Sequence, residues 1–332
     1  MMRSRGNHPG RFPRDRDETP FLNTEKELDK MNDCGKYAGI IPAFYACYGK
    51  DGQVSPEGVR AMARYLLSKG VKGLYVGGSS GECIYQGVAE RKLVLENVMA
   101  EVGGKLTIIA HVACNNTADS RELAAHAQSL GVSAIAAIPP IYFHLPPAGI
   151  AKYWNDISDA APDTDFVIYN IPQLAGVALT TPLLQEMLKN PRVIGVKNSS
   201  MPVQDIQMWR DEGAIVFNGP DEQLLSGLAA GAVGGIGGTY AVMPELYLAI
   251  FRLFNEGKLE QGREIQNECC RIIYKMCSTK GNMYAVIKEI IRLQGGPDAG
   301  SVRAPLLELA AEDGPIVREA ADMIAAAIAK YC

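Results

Sequence analysis

Apolar runs of five to seven residues recur along the chain, each followed by a longer stretch in which apolar residues return every three or four positions. The runs are AGIIPAF (38–44), GLYVG (73–77), LTIIAHV (106–112), AIAAI (134–138), FVIYN (166–170), VIGVK (193–197), IVFNG (215–219) and AVGGIGG (232–238). Within most of them successive positions are apolar, as in strands covered on both faces. Between the runs, SPEGVRAMARYLLSKG predicts a helix with Ser55 as cap, Pro56 at its first position and Gly70 as its stop. NTADSRELAAHAQSLG repeats the device, with Asn116 or Thr117 as cap and Gly131 as stop. Eight such units in unbroken order predict a closed (β/α)8 TIM barrel rather than an open doubly wound sheet. From about residue 243 the pattern is helical only, as in NEGKLEQGREIQNECCRIIYKM, which predicts extra C-terminal helices packed on the barrel or on a neighbouring subunit. The expected organisation is an extension at 1–35, a barrel at 36–242 and a helical region at 243–332.

Composition narrows the partners. A net charge of −4 without basic or acidic blocks offers nothing to nucleic acid or an anionic membrane, so a small-molecule partner is expected. The arginine- and proline-rich start, MMRSRGNHPGRFPRDRDETPF, has no apolar segment and reads as a flexible extension rather than a secretory signal. The eight cysteines form no C-x-x-C pair, and Cys269 and Cys270 are adjacent, which suits free thiols in a cytoplasmic protein. Cys83, directly after Glu82, is expected to be a buried thiol.

In a barrel of this kind the site lies at the C-terminal ends of the strands. Those ends read Gly77-Gly78-Ser79-Ser80-Gly81-Glu82, Pro139-Pro140-Ile141-Tyr142, Tyr169-Asn170-Ile171-Pro172, Lys197-Asn198-Ser199-Ser200, Asn218-Gly219-Pro220-Asp221-Glu222 and Gly237-Gly238-Thr239-Tyr240. Lys197 closes an apolar run, so its amine is expected in a dry barrel mouth. Desolvation favours the neutral amine, which attacks a ketone to form a Schiff base. Taken alone, such a lysine is more often one that pairs with a carboxylate or reaches out to water. Tyr169 ends the neighbouring strand, where a phenol can carry the proton that making or breaking a carbon–carbon bond requires; alone, it could equally cap the core.

GGSSG (77–81) also fits the G-x-S-x-G elbow of hydrolases, which would make Ser79 a nucleophile. That chemistry needs an acid and then a histidine after the serine. The histidines beyond Ser79 are His111 within a strand, His126 within a helix, and His144, with none after it. Ser79 and Ser80 are therefore read as hydroxyl donors that, with the N–H groups of the glycine turn, hold a carboxylate. Glu82 is read as supporting them. No His, Asp or Glu cluster has metal-ligand spacing.

Together, GGSSGE (77–82), YNIP (169–172), GVKNSS (195–200) and GGIGGTY (234–240) resemble the motifs of the class I pyruvate aldolases, the family that includes N-acetylneuraminate lyase and dihydrodipicolinate synthase. The resemblance runs from about residue 37 to about residue 310. It implies Lys197 as Schiff-base lysine, Tyr169 as general acid/base, and Ser79 and Ser80 as the pair on the pyruvate carboxylate. It also implies that Tyr142 enters a neighbouring subunit's site in a homotetramer, and that no cofactor or metal is required.

Within that family the chain looks like the sialic acid lyase branch. The synthase branch carries an arginine two residues after the Tyr-x-x-Pro proline, where Leu174 stands here. Ser199, Gly219, Asp221, Glu222 and Gly238 fall on or beside positions that contact the sugar. Two positions depart from the lyase pattern: Gly238 stands where lyases carry a serine, and Ser79-Ser80 where they carry serine-threonine. The implied reaction is cleavage of N-acetylneuraminate to N-acetylmannosamine and pyruvate. The alternatives are cleavage of another deoxy keto sugar acid, the dihydrodipicolinate condensation, or a non-catalytic barrel that binds a keto acid.

Overall fold

In the computed structural model, residues 35–332 are described, and residues 36–332 form one compact unit. The extension read at 1–35 lies, up to residue 34, outside the described residues. Each of the eight apolar runs contains one strand: β1 (Gly39–Pro42), β2 (Gly73–Val76), β3 (Thr107–His111), β4 (Ala134–Ala137), β5 (Asp165–Asn170), β6 (Val193–Asn198), β7 (Ile215–Asn218) and β8 (Gly234–Gly237). β5 and β6 each reach one residue beyond a run. All pairings are parallel, from β2 through β8 and back to β1. The last seam is closed by a bridge between Ala43 and Tyr75, where Phe44 N donates to Tyr75 O at 2.9 Å. The TIM barrel expected from the alternation is therefore present.

Local chemistry accounts for the helices that set the strands apart. Ser55 accepts from Gly58 N at 3.1 Å to cap helix Pro56–Ser68, and Gly70, at φ +74, turns the chain out of it. Asn116, rather than Thr117, caps helix Thr117–Ser129 by accepting from Asp119 N at 2.8 Å. β8 is nearly all glycine because its neighbours fill the space of its side chains. A Cβ on Gly237 would lie 1.9 Å from Asp221 Oδ1.

Side chains facing into the barrel form their own cluster, with Ile41, Tyr75, Ile109, Val167, Tyr169, Phe217 and Ile236 among them. A larger apolar layer separates the strands from the helices. Helix Pro244–Asn255 packs against β1 and helix Leu224–Ala229, so it serves as the helix of the eighth unit. The helices beyond it are Leu259–Met276, Met283–Leu293 and Asp313–Tyr331. They pack on one another and on the barrel, and Met283–Leu293 reaches the turn Thr239–Ala241 at the barrel mouth. No helix among the described residues is long and apolar enough to cross a membrane.

Candidate active site

Tyr169 and Lys197 are register partners at the ends of β5 and β6. Both side chains turn into the barrel, and each residue is only 4% exposed. Lys197 Nζ stands 3.9 Å from the centroid of the Tyr169 ring and 4.0 Å from that of Tyr75, which rises from β2. The two rings meet edge to face at 5.7 Å. Among the described residues Nζ has neither a hydrogen bond nor an ion pair; the Asp221 carboxylate acts on it only at longer range. The two ordinary explanations of such a lysine, an ion pair or escape to water, are thus absent. What remains is an amine clamped between aromatic faces.

His111, at the end of β3, packs edge to face on Tyr169 with ring centroids 6.0 Å apart. Its Nδ1 donates to Gly77 O at 2.9 Å and its Nε2 accepts from Ile138 N at 3.4 Å, the tautomer being set by those partners. Burial, with Arg91 and Lys197 nearby, pushes it down to about 3, so it is a neutral staple between two strand ends.

The serine turn follows β2. Ser80 is buried and Ser79 partly so. Ser79 lines a cavity of about 620 Å³ with His111, Ile138, Ile171, Leu174 and Tyr284. Glu82, expected to support the turn, also lines that cavity and is ion-paired with Lys288. Cys83 is only partly buried, and the seven described cysteines are all free.

Ser199, Gly219, Asp221 and Gly238 gather at the ends of β6 to β8. Gly219 is pressed against β6: a Cβ there would lie 2.1 Å from Ser199 Oγ, so only glycine fits. Asp221 is 8% exposed; Thr239 donates to its Oδ2 through both N and Oγ1 at 2.6 Å, while Oδ1 has no hydrogen-bond partner among the described residues. Burial pushes its carboxyl up to about 6 against those two hydrogen bonds. Glu222 is half-buried beside it. Gly238 has helical backbone, φ −71, and a Cβ there would meet Tyr45 Oη at 3.3 Å and Ser80 Oγ at 3.4 Å. Tyr142 is not brought to Lys197 of its own chain. It lies at the surface, 87% exposed, at φ +79, with its ring against Phe143.

A model of the dihydrodipicolinate synthetase family matches residues 36–324. The chain belongs to that family. It is 64% identical over 304 residues to the N-acetylneuraminate lyase of Mediterraneibacter gnavus, covering 91% of this chain and 96% of that protein. It is 34% identical over 270 residues to the lyase of Salmonella agona, covering 81% and 90%. Among solved structures, the wild-type sialic acid aldolase of Ruminococcus gnavus superposes with a TM-score of 0.89 at 65% identity, over 90% of this chain and 100% of that one. CdNal of Clostridium difficile, solved with mannosamine, gives 0.80 at 29% identity over 89% and 99%. The resemblance drawn from four short motifs is borne out.

Three aromatic residues of this dihydrodipicolinate synthetase family member escaped the sequence reading. Tyr75 is the second wall of the lysine clamp. Tyr45, fully buried, donates from Oη to Gly238 O at 3.2 Å. Tyr284, on helix Met283–Leu293, packs edge to face on Tyr45 at 5.9 Å and lines the cavity. Tyr75 alone carried a signal, the two-residue alternation that turns it inward on β2.

Proposed function

We propose that the protein is a class I aldolase that cleaves N-acetylneuraminate to N-acetylmannosamine and pyruvate. The observation that carries this reading is the amine of Lys197, buried, without an ion pair among the described residues and against the Tyr169 ring; the lyase and aldolase relatives supply the substrate. Lys197 Nζ attacks the carbonyl of the open-chain keto acid, and loss of water gives an iminium. Ser79 and Ser80 hold the carboxylate. Tyr169 accepts the proton of the hydroxyl as the carbon–carbon bond breaks, with the iminium taking the electron pair as an enamine. Protonation of the enamine and hydrolysis release pyruvate and restore the amine.

The sugar end is assigned to Ser199, Gly219, Asp221, Glu222 and Gly238. Tyr142 is assigned to a neighbouring subunit's site in a cytoplasmic homo-oligomer; a strained, outward-held phenol supports that role. The dihydrodipicolinate condensation is disfavoured because Leu174, on the cavity wall, offers an incoming carboxylate no charge.

The test is pyruvate release from N-acetylneuraminate, coupled to lactate dehydrogenase. Rapid release establishes the reading. No release from folded protein that still traps pyruvate on borohydride treatment moves the substrate to another keto acid.

Asp221 gives the reading a pH signature. As an acceptor for sugar hydroxyls it must be ionised, so KM for N-acetylneuraminate is expected to rise as pH falls through about 6. Asp221→Asn should raise KM about tenfold at neutral pH, the loss of one charged hydrogen bond, and flatten that rise. Borohydride trapping of pyruvate alone should be unchanged. A KM profile with the same inflection in the variant would remove Asp221 from the sugar site.

A further inference from the structure

Directly behind the serine turn lies a buried ion pair that the chemistry above does not use. Glu82 ends the turn in left-handed backbone, φ +52, a strained setting for a residue with a Cβ. Both of its carboxylate oxygens are engaged: Lys288 Nζ donates to Oε1 at 2.8 Å and the backbone N of Arg303 to Oε2 at 2.8 Å. The Lys288 and Glu82 side chains are 2% and 0% exposed. Lys288 also donates to Ser301 O at 2.8 Å and sits over the Tyr48 ring at 4.9 Å.

Such a pair is a poor source of stability, because apolar side chains of the same shape commonly serve as well or better. What it supplies is position. The turn's own bonds are Gly81 N to Gly78 O at 3.0 Å and Glu82 N to Ser79 O at 2.9 Å, and Ala46 N reaches Ser80 O from the segment after β1 at 3.3 Å. The Glu82 carboxylate ties the turn to helix Met283–Leu293 and to the segment after it. One turn before Lys288, the same helix places Tyr284 in the cavity wall.

We propose that Glu82 and Lys288 are positioning residues for the keto-acid carboxylate: through this pair helix Met283–Leu293 sets where the Ser79 and Ser80 hydroxyls stand relative to Lys197. The inference rests on the proposed function, because it takes those serines to hold a carboxylate. It makes the C-terminal helices part of the binding apparatus rather than a cover for the barrel.

The probe is pyruvate, trapped on Lys197 by borohydride and counted by intact mass, with acetone as a ketone that lacks the carboxylate. The double variant Glu82→Gln/Lys288→Met removes both charges and keeps side chains of similar length. Its half-saturation for pyruvate is expected to rise about tenfold, the size of one hydrogen bond to a charged group, while acetone is trapped at the wild-type rate. Glu82→Asp keeps the charge pair but shortens the strut by one methylene. It should show the same selective loss, and it decides the matter if the double variant does not fold. A pair that only stabilised the fold would lower Tm and leave the pyruvate half-saturation unchanged. Equal losses for pyruvate and acetone would put the effect on the lysine instead. Either result overturns the proposal. Wild-type protein that traps no pyruvate would overturn the proposed function and this inference together, whereas wild-type trapping with unaffected variants would sink the inference alone.

Discussion

Lys197→Met is expected to abolish turnover, by about 10⁵-fold or more if it is the nucleophile, and at the same time to leave the protein as stable as before or more so. The two halves of that expectation come from one geometry. Nζ lies between the Tyr75 and Tyr169 rings at 4.0 and 3.9 Å and has no hydrogen bond or ion pair among the described residues, the Asp221 carboxylate acting on it only at longer range. A methionine of similar length fills the same aromatic slot and orphans no partner, and it removes a polar group held out of water. Loss of a buried group that had a partner behaves in the opposite way, because the partner is then left uncompensated. The checks are the coupled pyruvate assay, borohydride labelling and a thermal melt on the same preparation. Unchanged turnover in folded Lys197→Met would refute the Schiff-base mechanism. A Tm lowered by many degrees with turnover lost would show that the amine holds a structural contact, and the stability half of the argument would fall.

That lysine was legible in the sequence because a barrel translates linear position into place. The residue closing an apolar run must sit at the mouth, and consecutive runs must be neighbours, so Lys197 and Tyr169 could be set side by side from order alone. Helix punctuation was legible for the same local reason, since Ser55, Asn116, Gly70 and Gly131 act within their own turn. What crosses the barrel was not. Tyr75 faces Lys197 from β2 to β6, and which inward residues meet there depends on strand tilt and stagger, which no single run encodes. Glu82 and Lys288 are 206 residues apart, and neither position advertises the other. The start of the C-terminal region was blurred because the eighth barrel helix, Pro244–Asn255, and the helix after it carry the same amphipathic pattern. Gly238, marked as a departure from the lyase pattern, has an ordinary backbone in the structure; nothing about its φ forbids a serine.

Tyr169→Phe is the substitution that separates the carbon–carbon step from Schiff-base formation. It removes one oxygen and keeps the ring that packs on Tyr75 and His111 at 5.7 and 6.0 Å. Because the Tyr169 hydroxyl makes no hydrogen bond among the described residues, no buried partner is orphaned and the fold should be unaffected. The expected loss in kcat is on the order of 10²–10⁴, the usual range for a positioned proton carrier, with pyruvate still trapped on Lys197 by borohydride. An alternative carrier packed on Tyr169 is His111, and its surroundings argue against it. Its Nδ1 proton is committed to Gly77 O, its Nε2 lone pair accepts from Ile138 N, and burial holds the ring neutral far below neutral pH. A histidine so held neither takes up nor releases a proton at working pH, so the kcat profile should show no histidine-like inflection near 6.5. If Tyr169→Phe keeps full kcat, the proton must travel by another hydroxyl. Tyr142 of a neighbouring subunit would then be the first to test, because the phenols of Tyr75, Tyr45 and Tyr284 are pushed upward by burial and release their protons poorly.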